Sequence, residues 1–246
     1  MSSHNGKIDT AAKLEMKRYR NIFIDLDDTL YDFSAASRES FKETYDNLGY
    51  SRFFESFRQY MDIYTPYNLE LWTKYGKGEI TKAQLNKERF GHPLKVVGAY
   101  DEALAAQFEK ESLQLIPTKN KLIPYAKEIL EYLYPKYNLY ILSNGFQELQ
   151  EKKMKTSGIR DYFKALILSD HIGINKPRRE LFEHALSIAE SEIEESIMIG
   201  DMFETDIAGA HNIGMDQIFV NLKGVKEKAF TPTYEVSHLK EIENIL

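Results

Sequence analysis

The stretch "FIDLDDTLYD", residues 23–32, places four carboxylates at the end of a short apolar run. They belong to Asp25, Asp27, Asp28 and Asp32. Carboxylates this close together repel one another, and the repulsion destabilises the folded chain unless a cation lies among them. The stretch therefore predicts a site that holds positive charge, either from a basic side chain or from a metal ion.

The composition limits the classes of protein to consider. The chain has 246 residues, of which 43% are hydrophobic and 28% charged, values that are ordinary for a globular protein. Its 38 acidic and 32 basic side chains give a net charge of −6, which argues against binding to a nucleic acid polymer. No apolar stretch approaches the roughly 20 residues that cross a bilayer, so we expect no membrane segment.

The absence of cysteine and the character of the N-terminus bear on location. With no cysteine in the sequence, disulfides, thiolate metal sites and a cysteine nucleophile are excluded. The first residues are polar and lack the apolar centre of a secretory signal. We predict a cytoplasmic protein whose residues 1–19 form an N-terminal extension without fixed structure.

Five apolar runs predict the strands of a sheet. The first is "NIFID", residues 21–25, a continuous apolar run that ends in an acid, as in a strand buried on both faces. Similar runs occupy residues 138–145, 164–170, 196–201 and 216–221. Most of these runs end in polar or acidic residues, which indicates a functional edge at the carboxyl ends of the strands.

Helical patterns separate the later runs. "YAKEILEYL" follows Pro124 and "RRELFEHALSIA" follows Pro177, so both prolines are predicted to mark the start of a helix. Strands that alternate with helices form a mainly parallel sheet covered on both faces. The predicted fold class is α/β, a Rossmann-like, doubly wound parallel sheet.

Residues 34–115 have a different pattern and predict an all-helical insert. Phe41 and Tyr45 share one helical face, and Phe57, Tyr60 and Tyr64 share another. "TKAQ", residues 81–84, fits a capping box, and an aspartate at position 101 suits the N-cap of a further helix. We therefore predict a helical cap domain at 34–115 and a catalytic core made of 20–33 and 116–246.

The ends of the predicted strands collect the residues that could carry chemistry. They are Asp25, Asp27 and Thr29 after the first run, Ser143, Asn144 and Gly145 after the second, Lys176 after the third, and Asp201 and Asp206 after the fourth. Carboxylate oxygens are hard ligands that suit Mg²⁺ rather than a soft metal. The set predicts a magnesium site beside a lysine, a combination that accommodates a phosphate group.

These pieces resemble, in order, the four motifs of the haloacid dehalogenase superfamily, in its phosphatase branch. "DLDDT" is similar to its first motif, DxDx[TV], and "LSNG" to the second, with its serine or threonine. "GINKP" is similar to the third, with its lysine, and "GDMFETD" to the fourth, GDxxxxD. The resemblance extends over most of the chain and includes an insert where that family has its helical cap. Within the family, the chain also resembles pyrimidine 5′-nucleotidase-like members.

The resemblance implies a role for each residue of the first motif. Asp25 would be the nucleophile that forms an aspartyl phosphate, and it would also bind Mg²⁺. Asp27 would protonate the leaving oxygen and then deprotonate the attacking water, while its backbone carbonyl binds the metal. Thr29 would support the two carboxylates.

The other three motifs would bind the phosphoryl group and complete the metal site. Ser143 and the backbone at Asn144 and Gly145 would hold phosphoryl oxygens, and the side chain of Lys176 would link the phosphoryl group to the nucleophile. The carboxylate of Asp201 would bind Mg²⁺, and Asp206 would anchor the lysine or a metal-bound water. Phosphoryl transfer needs such a set because its catalysis is mostly positioning and charge neutralisation.

The expected function is hydrolysis of a small phosphorylated metabolite, such as a nucleoside 5′-monophosphate, by a magnesium-dependent phosphatase. A sugar-phosphate phosphatase or a phosphomutase would share all four motifs. A 2-haloacid dehalogenase needs neither the metal nor Asp27, and a silent binding protein would be expected to have lost one of the catalytic residues. The sequence predicts no particular oligomeric state.

Several residues have a simpler interpretation. A calcium-binding loop would need glycine at position 30 and glutamate at position 36, where this chain has Leu30 and Ala36. The aspartates are therefore not predicted to form a calcium site. Asp28 and Asp32 are predicted to be flanking charges or helix caps. Trp72 and the tyrosines of the insert are predicted to be mainly core residues, although one of them could instead stack on a base.

Overall fold

The structure is a computed structural model and describes residues 19–246 of the chain. Its sheet has six strands: β1 (Asn21–Ile24), β2 (Asn138–Ser143), β3 (Ala165–Leu168), β4 (Ser196–Gly200), β5 (Asp216–Val220) and β6 (Tyr234–Val236). The spatial order is β3-β2-β1-β4-β5-β6, and every neighbouring pair is parallel. The predicted doubly wound α/β fold is confirmed.

The order of the strands places β1 at the topological switch point. From β1 the chain builds outward through β2 and β3 on one side, and then returns to build β4, β5 and β6 on the other. Ile24 at the end of β1 is level with Ile141 of β2 and Ile199 of β4. Crevices outside the carboxyl ends of strands at such a point are where this architecture binds ligands.

The apolar composition of the strands follows from burial on both faces. In β1, Ile22 and Ile24 belong to the hydrophobic cluster on one face of the sheet, whereas Phe23 belongs to the cluster on the other. Side chains alternate between the faces of a strand, so a strand covered on both sides must be apolar at every position. This explains why the run that precedes the aspartates has no alternating polar residues.

Helices cover the sheet and form the insert between β1 and β2. Those of the insert are α1 (Phe33–Asn47), α2 (Phe57–Gly76), α3 (Lys82–Val96) and α4 (Glu102–Leu115). The later ones are α5 (Ala126–Leu133), α6 (Gln147–Thr156), α7 (Ser169–Ile172), α8 (Arg179–Ala189) and α9 (Ala208–Ile213). The predicted helical insert is confirmed, and the exact domain boundaries stay a prediction.

Short helical turns join these elements. Turns of 3₁₀ helix occupy Tyr50–Arg52, Ile116–Lys119, Arg160–Tyr162, Ile193–Glu195 and Leu239–Asn244, and a π-helical turn occupies Phe203–Ile207. The π-helical turn connects β4 to α9 and contains Asp206. It therefore shapes the loop that carries the fourth motif.

The predicted helix caps are present in the insert. Thr81 and Gln84 form the reciprocal hydrogen bonds of a capping box at the start of α3, and Asp101 accepts a hydrogen bond from the Leu104 amide at the start of α4. Asp32 caps α1 in the same way. Each cap satisfies backbone donors that the first helical turn leaves without partners.

The structure differs from the sequence predictions at three places. The strand β6 was missed, because a three-residue run is too short to show a periodic pattern. Each proline predicted to start a helix lies two residues before it, with Tyr125 and Arg178 at the N-caps of α5 and α8. The predicted extension lies outside the described residues except for Tyr19, which is buried and donates a hydrogen bond to Asp216 at 2.7 Å.

Candidate active site

A buried lysine links two carboxylates at the centre of the site. Lys176 Nζ donates to Asp25 Oδ1 at 2.6 Å and lies 2.7 Å from Asp206 Oδ1, and it also donates to the carbonyl oxygen of Leu142 at 2.7 Å. The three charged residues are between 1% and 7% exposed. Removing one partner from a buried set of ion pairs like this one is strongly destabilising, because an unpaired charge is left inside the protein.

Three carboxylates converge beside this lysine. Oxygens of Asp25, Asp201 and Asp206 lie within 4.8 Å of one another. The Thr29 hydroxyl lies 3.4 Å from Asp25 Oδ2 and 3.3 Å from Asp201 Oδ1, and it accepts a hydrogen bond from the Asp201 amide. A set of hard oxygen donors this compact fits a divalent cation such as Mg²⁺.

The charges explain why a cation fits. Burial raises the pKa of Asp25 well above its usual value against the opposing effect of Lys176, with Asp206 and Asp201 adding to the rise. Burial and then the carboxylate of Asp206 raise the pKa of Asp201 to about 6. Burial lowers the pKa of Lys176, but the two carboxylates raise it above its usual value. Lys176 and the exposed Lys223, which lies 3.4 Å from Asp201 Oδ2, balance only two of the three carboxylates. The site therefore keeps an excess of negative charge that a bound cation would neutralise.

The glycine of the fourth motif makes room for this arrangement. Gly200 ends β4, and the side chain of Asp206 folds back against its Cα, where any Cβ would collide with the carboxylate. The carboxylate also accepts a hydrogen bond from the Met202 amide at 3.1 Å. The loop after Gly200 turns back so that the Asp206 carboxylate reaches Lys176. This turn explains the spacing from Gly200 to Asp206.

The loop after β2 is braced against the lysine. Asn144 and Lys176 exchange two hydrogen bonds, from the lysine amide to Asn144 Oδ1 at 2.8 Å and from Asn144 Nδ2 to the lysine carbonyl at 3.1 Å. The Gly145 amide donates to Ser143 Oγ at 3.1 Å. The structure therefore brings the predicted phosphate-binding residues together with the predicted nucleophile, while their roles stay predictions.

Asp27 has partners that sequence reasoning missed. Lys153 Nζ forms an ion pair with Asp27 Oδ1, and Gln150 Nε2 donates to Asp27 Oδ2 at 2.9 Å and to Ser143 Oγ at 2.7 Å. Both partners are fully buried on α6. The side-chain amide of Gln150 thus links Asp27, the predicted acid–base residue, to the hydroxyl of Ser143, which is predicted to bind phosphate. A Cβ at Gly145 would collide with the Gln150 side chain, which explains the glycine.

A signal for these two residues was present in the sequence. Gln150, Lys153 and Met154 are spaced as i, i+3 and i+4, so they share one face of α6, and that face is buried. Polar residues on the apolar face of a helix need buried partners. The carboxylate that supplies the partner, Asp27, is recognisable only once the helix is seen to pack against the end of β1.

The Asp27 side chain is turned toward α6 and is not part of the compact carboxylate cluster. The family resemblance implied that residue 27 binds the metal through its backbone carbonyl, and that stays a prediction. Asp28 was predicted to be a flanking charge or cap, and its carboxylate accepts hydrogen bonds from the amide and hydroxyl of Ser34. That prediction is confirmed.

The tip of the α2–α3 hairpin contacts the same edge of the core. Lys82 Nζ pairs with Asp170 at 2.8 Å and lies 4.2 Å from the ring centroid of Phe146. Trp72 stacks on Phe146 with ring centroids 5.3 Å apart. Phe146 directly follows Gly145, so the insert covers the predicted phosphate-binding loop.

Comparison with known proteins confirms the predicted family. A model of the haloacid dehalogenase-like hydrolase family matches residues 19–214. The match spans β1 to α9 and contains every predicted site residue. The chain belongs to this family of hydrolases. The sequence prediction of an enzyme, a phosphoric monoester hydrolase of the family, is confirmed with it.

Individual relatives are similar over nearly their whole length. The chain is 31% identical to the HAD-hydrolase YfnB of Bacillus subtilis (strain 168), covering 94% of this chain and 97% of that protein. It is 30% identical to the pyrimidine 5′-nucleotidase YjjG of Escherichia coli (strain K12), covering 92% and 96%. A glyceraldehyde 3-phosphate phosphatase of Methanothermobacter thermautotrophicus is 30% identical, covering 81% and 84%.

Solved structures show the same fold. A crystal structure of YfnB from Bacillus subtilis, bound to magnesium, superposes with a TM-score of 0.83 at 28% identity and covers 93% of this chain and 98% of that chain. An L-2-haloacid dehalogenase from Xanthobacter autotrophicus superposes with a TM-score of 0.70 at 19% identity, covering 92% and 98%. The second likeness shows the fold alone.

No helix among the described residues is long and apolar enough to cross a membrane.

Proposed function

We propose that this protein is a Mg²⁺-dependent phosphatase that hydrolyses a small phosphate monoester through an aspartyl-phosphate intermediate. The observation that carries the proposal is the position of Asp25. Its carboxylate lies at the switch point of the sheet, 2.6 Å from Lys176 Nζ and within 4.8 Å of the Asp201 and Asp206 carboxylates. A nucleophilic carboxylate, a fixed cation and a compact set of hard oxygen ligands are the parts that phosphoryl transfer requires.

Asp25 is the nucleophile in this proposal. One of its carboxylate oxygens attacks phosphorus, the bond from phosphorus to the ester oxygen breaks, and that oxygen leaves with a proton from Asp27. Water then attacks phosphorus while Asp27 takes its proton, the bond from phosphorus to the Asp25 oxygen breaks, and inorganic phosphate leaves. In this proposal the Lys176 ammonium and the Ser143 hydroxyl hold the phosphoryl oxygens during both steps.

Asp25, Asp201 and Asp206 would hold Mg²⁺, with the Asp27 carbonyl as a further ligand. When bound, the ion would supply positive charge that draws the phosphoryl oxygens toward the nucleophile and neutralises charge as it develops. Thr29 positions two of these carboxylates through its hydroxyl contacts.

The proposed substrates are nucleoside 5′-monophosphates, with pyrimidine nucleotides preferred. The support comes from the relatives named pyrimidine 5′-nucleotidase and from the aromatic residues where the insert meets the phosphate-binding loop. A sugar-phosphate phosphatase is the second candidate, because other relatives are named glyceraldehyde 3-phosphate phosphatase. Dehalogenation is disfavoured by the carboxylate cluster, which that reaction does not need.

Phosphate release tests the proposal directly. The purified protein should release phosphate from p-nitrophenyl phosphate and uridine 5′-monophosphate, lose this activity in excess chelator, and regain it with Mg²⁺. The value of kcat/KM should be higher for uridine 5′-monophosphate than for glucose 6-phosphate. Full activity in excess chelator would remove the metal from the mechanism, and a higher kcat/KM for the hexose phosphate would overturn the nucleotide assignment.

A further inference from the structure

Within residues 19–246, one buried cation of the helical insert has no carboxylate at ion-pair distance. Arg89 of α3 is 7% exposed, and its Nε atom has no hydrogen-bond partner. Its guanidinium lies over two aromatic rings, with Cζ 4.7 Å from the centroid of Phe90 and 5.9 Å from that of Trp72. Burying a guanidinium without an acceptor is costly, and a ligand that supplied the acceptor would remove that cost.

Other polar atoms around Arg89 also lack partners. The Oδ1 atom of Asn86, three residues earlier on α3, is buried with no hydrogen-bond donor, and so is the hydroxyl of Tyr60. The guanidinium is close enough to act electrostatically on Tyr60 and on the half-buried Glu109 of α4. The interior of the insert therefore offers both an unused donor and unused acceptors.

There is space for a ligand beside these groups. A cavity of about 310 Å³ lies between α3 and α4. Asn86, Phe90 and Glu109 form part of its wall. Arg89 lies next to this wall, since its guanidinium covers the Phe90 ring. A single planar heterocycle fits such a volume.

A chain of two contacts connects this region to the predicted phosphate-binding loop. Arg89 lies over Trp72, and Trp72 stacks on Phe146, which follows Gly145. A substrate with its phosphoryl group at Ser143 and a ribose as spacer would therefore carry its base toward Arg89. The aromatic faces on this path suit a flat ring.

We propose that Arg89 and Asn86 form the site for the base of a pyrimidine nucleotide, which rests on the proposed function and names its specificity residues. The guanidinium donates to a ring carbonyl oxygen, and Asn86 Oδ1 accepts from a ring nitrogen or an exocyclic amine. A second phosphate group fits less well, because it has no donor for Asn86 and would be repelled by the carboxylate of Glu109. Uracil and cytosine present the required alternation of acceptors and donors.

The test compares substrates with and without a base. In the full-length enzyme with Mg²⁺, Arg89→Met should lower the ratio of kcat/KM for uridine 5′-monophosphate to that for ribose 5-phosphate by about 10- to 100-fold. This is the loss expected for one hydrogen bond that involves a charged group. The matched control is Arg58→Met, an exposed arginine of α2 paired with Asp62, which should leave the ratio unchanged.

The outcomes separate this inference from the proposed function. No phosphate release by the wild-type enzyme from any of these esters would overturn both. If the wild-type enzyme hydrolyses the esters and Arg89→Met leaves the ratio unchanged, only the base site is overturned. The same holds if the variant loses thermal stability and activity equally on both substrates.

A measurement on the wild-type enzyme covers the case in which Arg89→Met does not fold. Uridine, which keeps the base and lacks the phosphate, should inhibit the hydrolysis of p-nitrophenyl phosphate competitively, and at least about tenfold more strongly than ribose. Equal inhibition by the two compounds would overturn the base site.

Discussion

The buried charged groups at the catalytic edge of the sheet have partners, whereas several buried polar groups in the helical insert have none. Lys176 contacts two carboxylates, and Lys153 and Gln150 hold Asp27. Within residues 19–246, the buried side-chain atoms without a partner are those of Thr44, Tyr60, Asn86 and Arg89 in the insert and of Gln150 (Oε1) and Ser169 in the core.

This difference corresponds to two tasks, catalysis at the edge of the sheet and recognition of the leaving group in the insert. Reacting groups must be held in place before the substrate arrives, because positioning accounts for much of phosphoryl-transfer catalysis. Groups that recognise a leaving group gain most when the ligand supplies their missing partner. A catalytic edge whose charged groups are paired and an insert with unused donors and acceptors fit this division of labour, and the following experiments probe it.

The largest effect is expected from the nucleophile. Asp25→Asn should lower phosphate release by about 10⁴-fold or more, because an amide is a poor nucleophile and no phosphoenzyme forms. Initial rates on p-nitrophenyl phosphate measure the loss. Asp28→Asn is the matched control: residue 28 has a φ of +61°, which asparagine tolerates, and its carboxylate only caps Ser34. Equal losses in the two variants would contradict the assignment of Asp25.

The second effect separates the two steps of the reaction. With p-nitrophenyl phosphate, whose leaving group needs little protonation, Asp27→Asn should release up to one equivalent of nitrophenolate and then stall. The stall follows because water must still be deprotonated, and general-base help contributes about 10²–10⁴-fold. Rapid mixing at high enzyme concentration resolves the burst. A slow steady rate with no burst, at wild-type Mg²⁺ affinity, would show that Asp27 does not limit the second step.

A third, smaller effect tests whether pairing at the catalytic edge matters. Lys153→Met leaves the Asp27 carboxylate with only Gln150 to fix its position, so kcat should fall by about 10- to 100-fold, as when a charged hydrogen bond is lost. Lys153→Arg should restore part of the rate, because it keeps the charge. Lys155→Met, on the exposed side of the same helix, should have no effect. An unchanged kcat in Lys153→Met would show that the ion pair only stabilises the fold.

The sequence predicted the strands and the four motifs because those features are local. An apolar run that ends in an acid is visible without any knowledge of the fold, and so is the spacing from Gly200 to Asp206. Lys153 and Arg89 were missed because each is an ordinary basic residue of a helical segment. Both residues are distinguished by their burial, and Lys153 also by its ion pair with Asp27. These properties depend on packing between different helices or between segments far apart in the sequence, which a local pattern does not show.

A fourth effect concerns stability and its dependence on pH. The buried Tyr31 hydroxyl donates to the Ile116 carbonyl at 2.7 Å, and burial raises its pKa from 10.0 to about 12. Between pH 10 and pH 12 the folded state keeps the hydroxyl proton that the unfolded chain loses. The stabilisation that Tyr31 gives the folded state is therefore complete below pH 10 and is lost as the pH rises through 12. Tyr31→Phe should therefore lower the free energy of unfolding by about 1 kcal/mol at pH 7. Its loss of stability between pH 10 and 12 should be shallower than that of the wild type, as urea unfolding at each pH would show.

The smallest effect has the opposite sign and tests the comparison most directly. Tyr60 is as deeply buried as Tyr31, but its hydroxyl has no partner, so Tyr60→Phe removes a polar atom that the interior does not satisfy. The ring keeps its contacts with Tyr45 and Phe108, so packing is preserved. Urea unfolding at pH 7 should find the variant unchanged or up to about 1 kcal/mol more stable than the wild type. Both substitutions delete one oxygen from a buried tyrosine, so Tyr31→Phe is the natural control. Equal destabilisation in the two variants would show that Tyr60 has a partner in solution and that the insert is no less satisfied than the core.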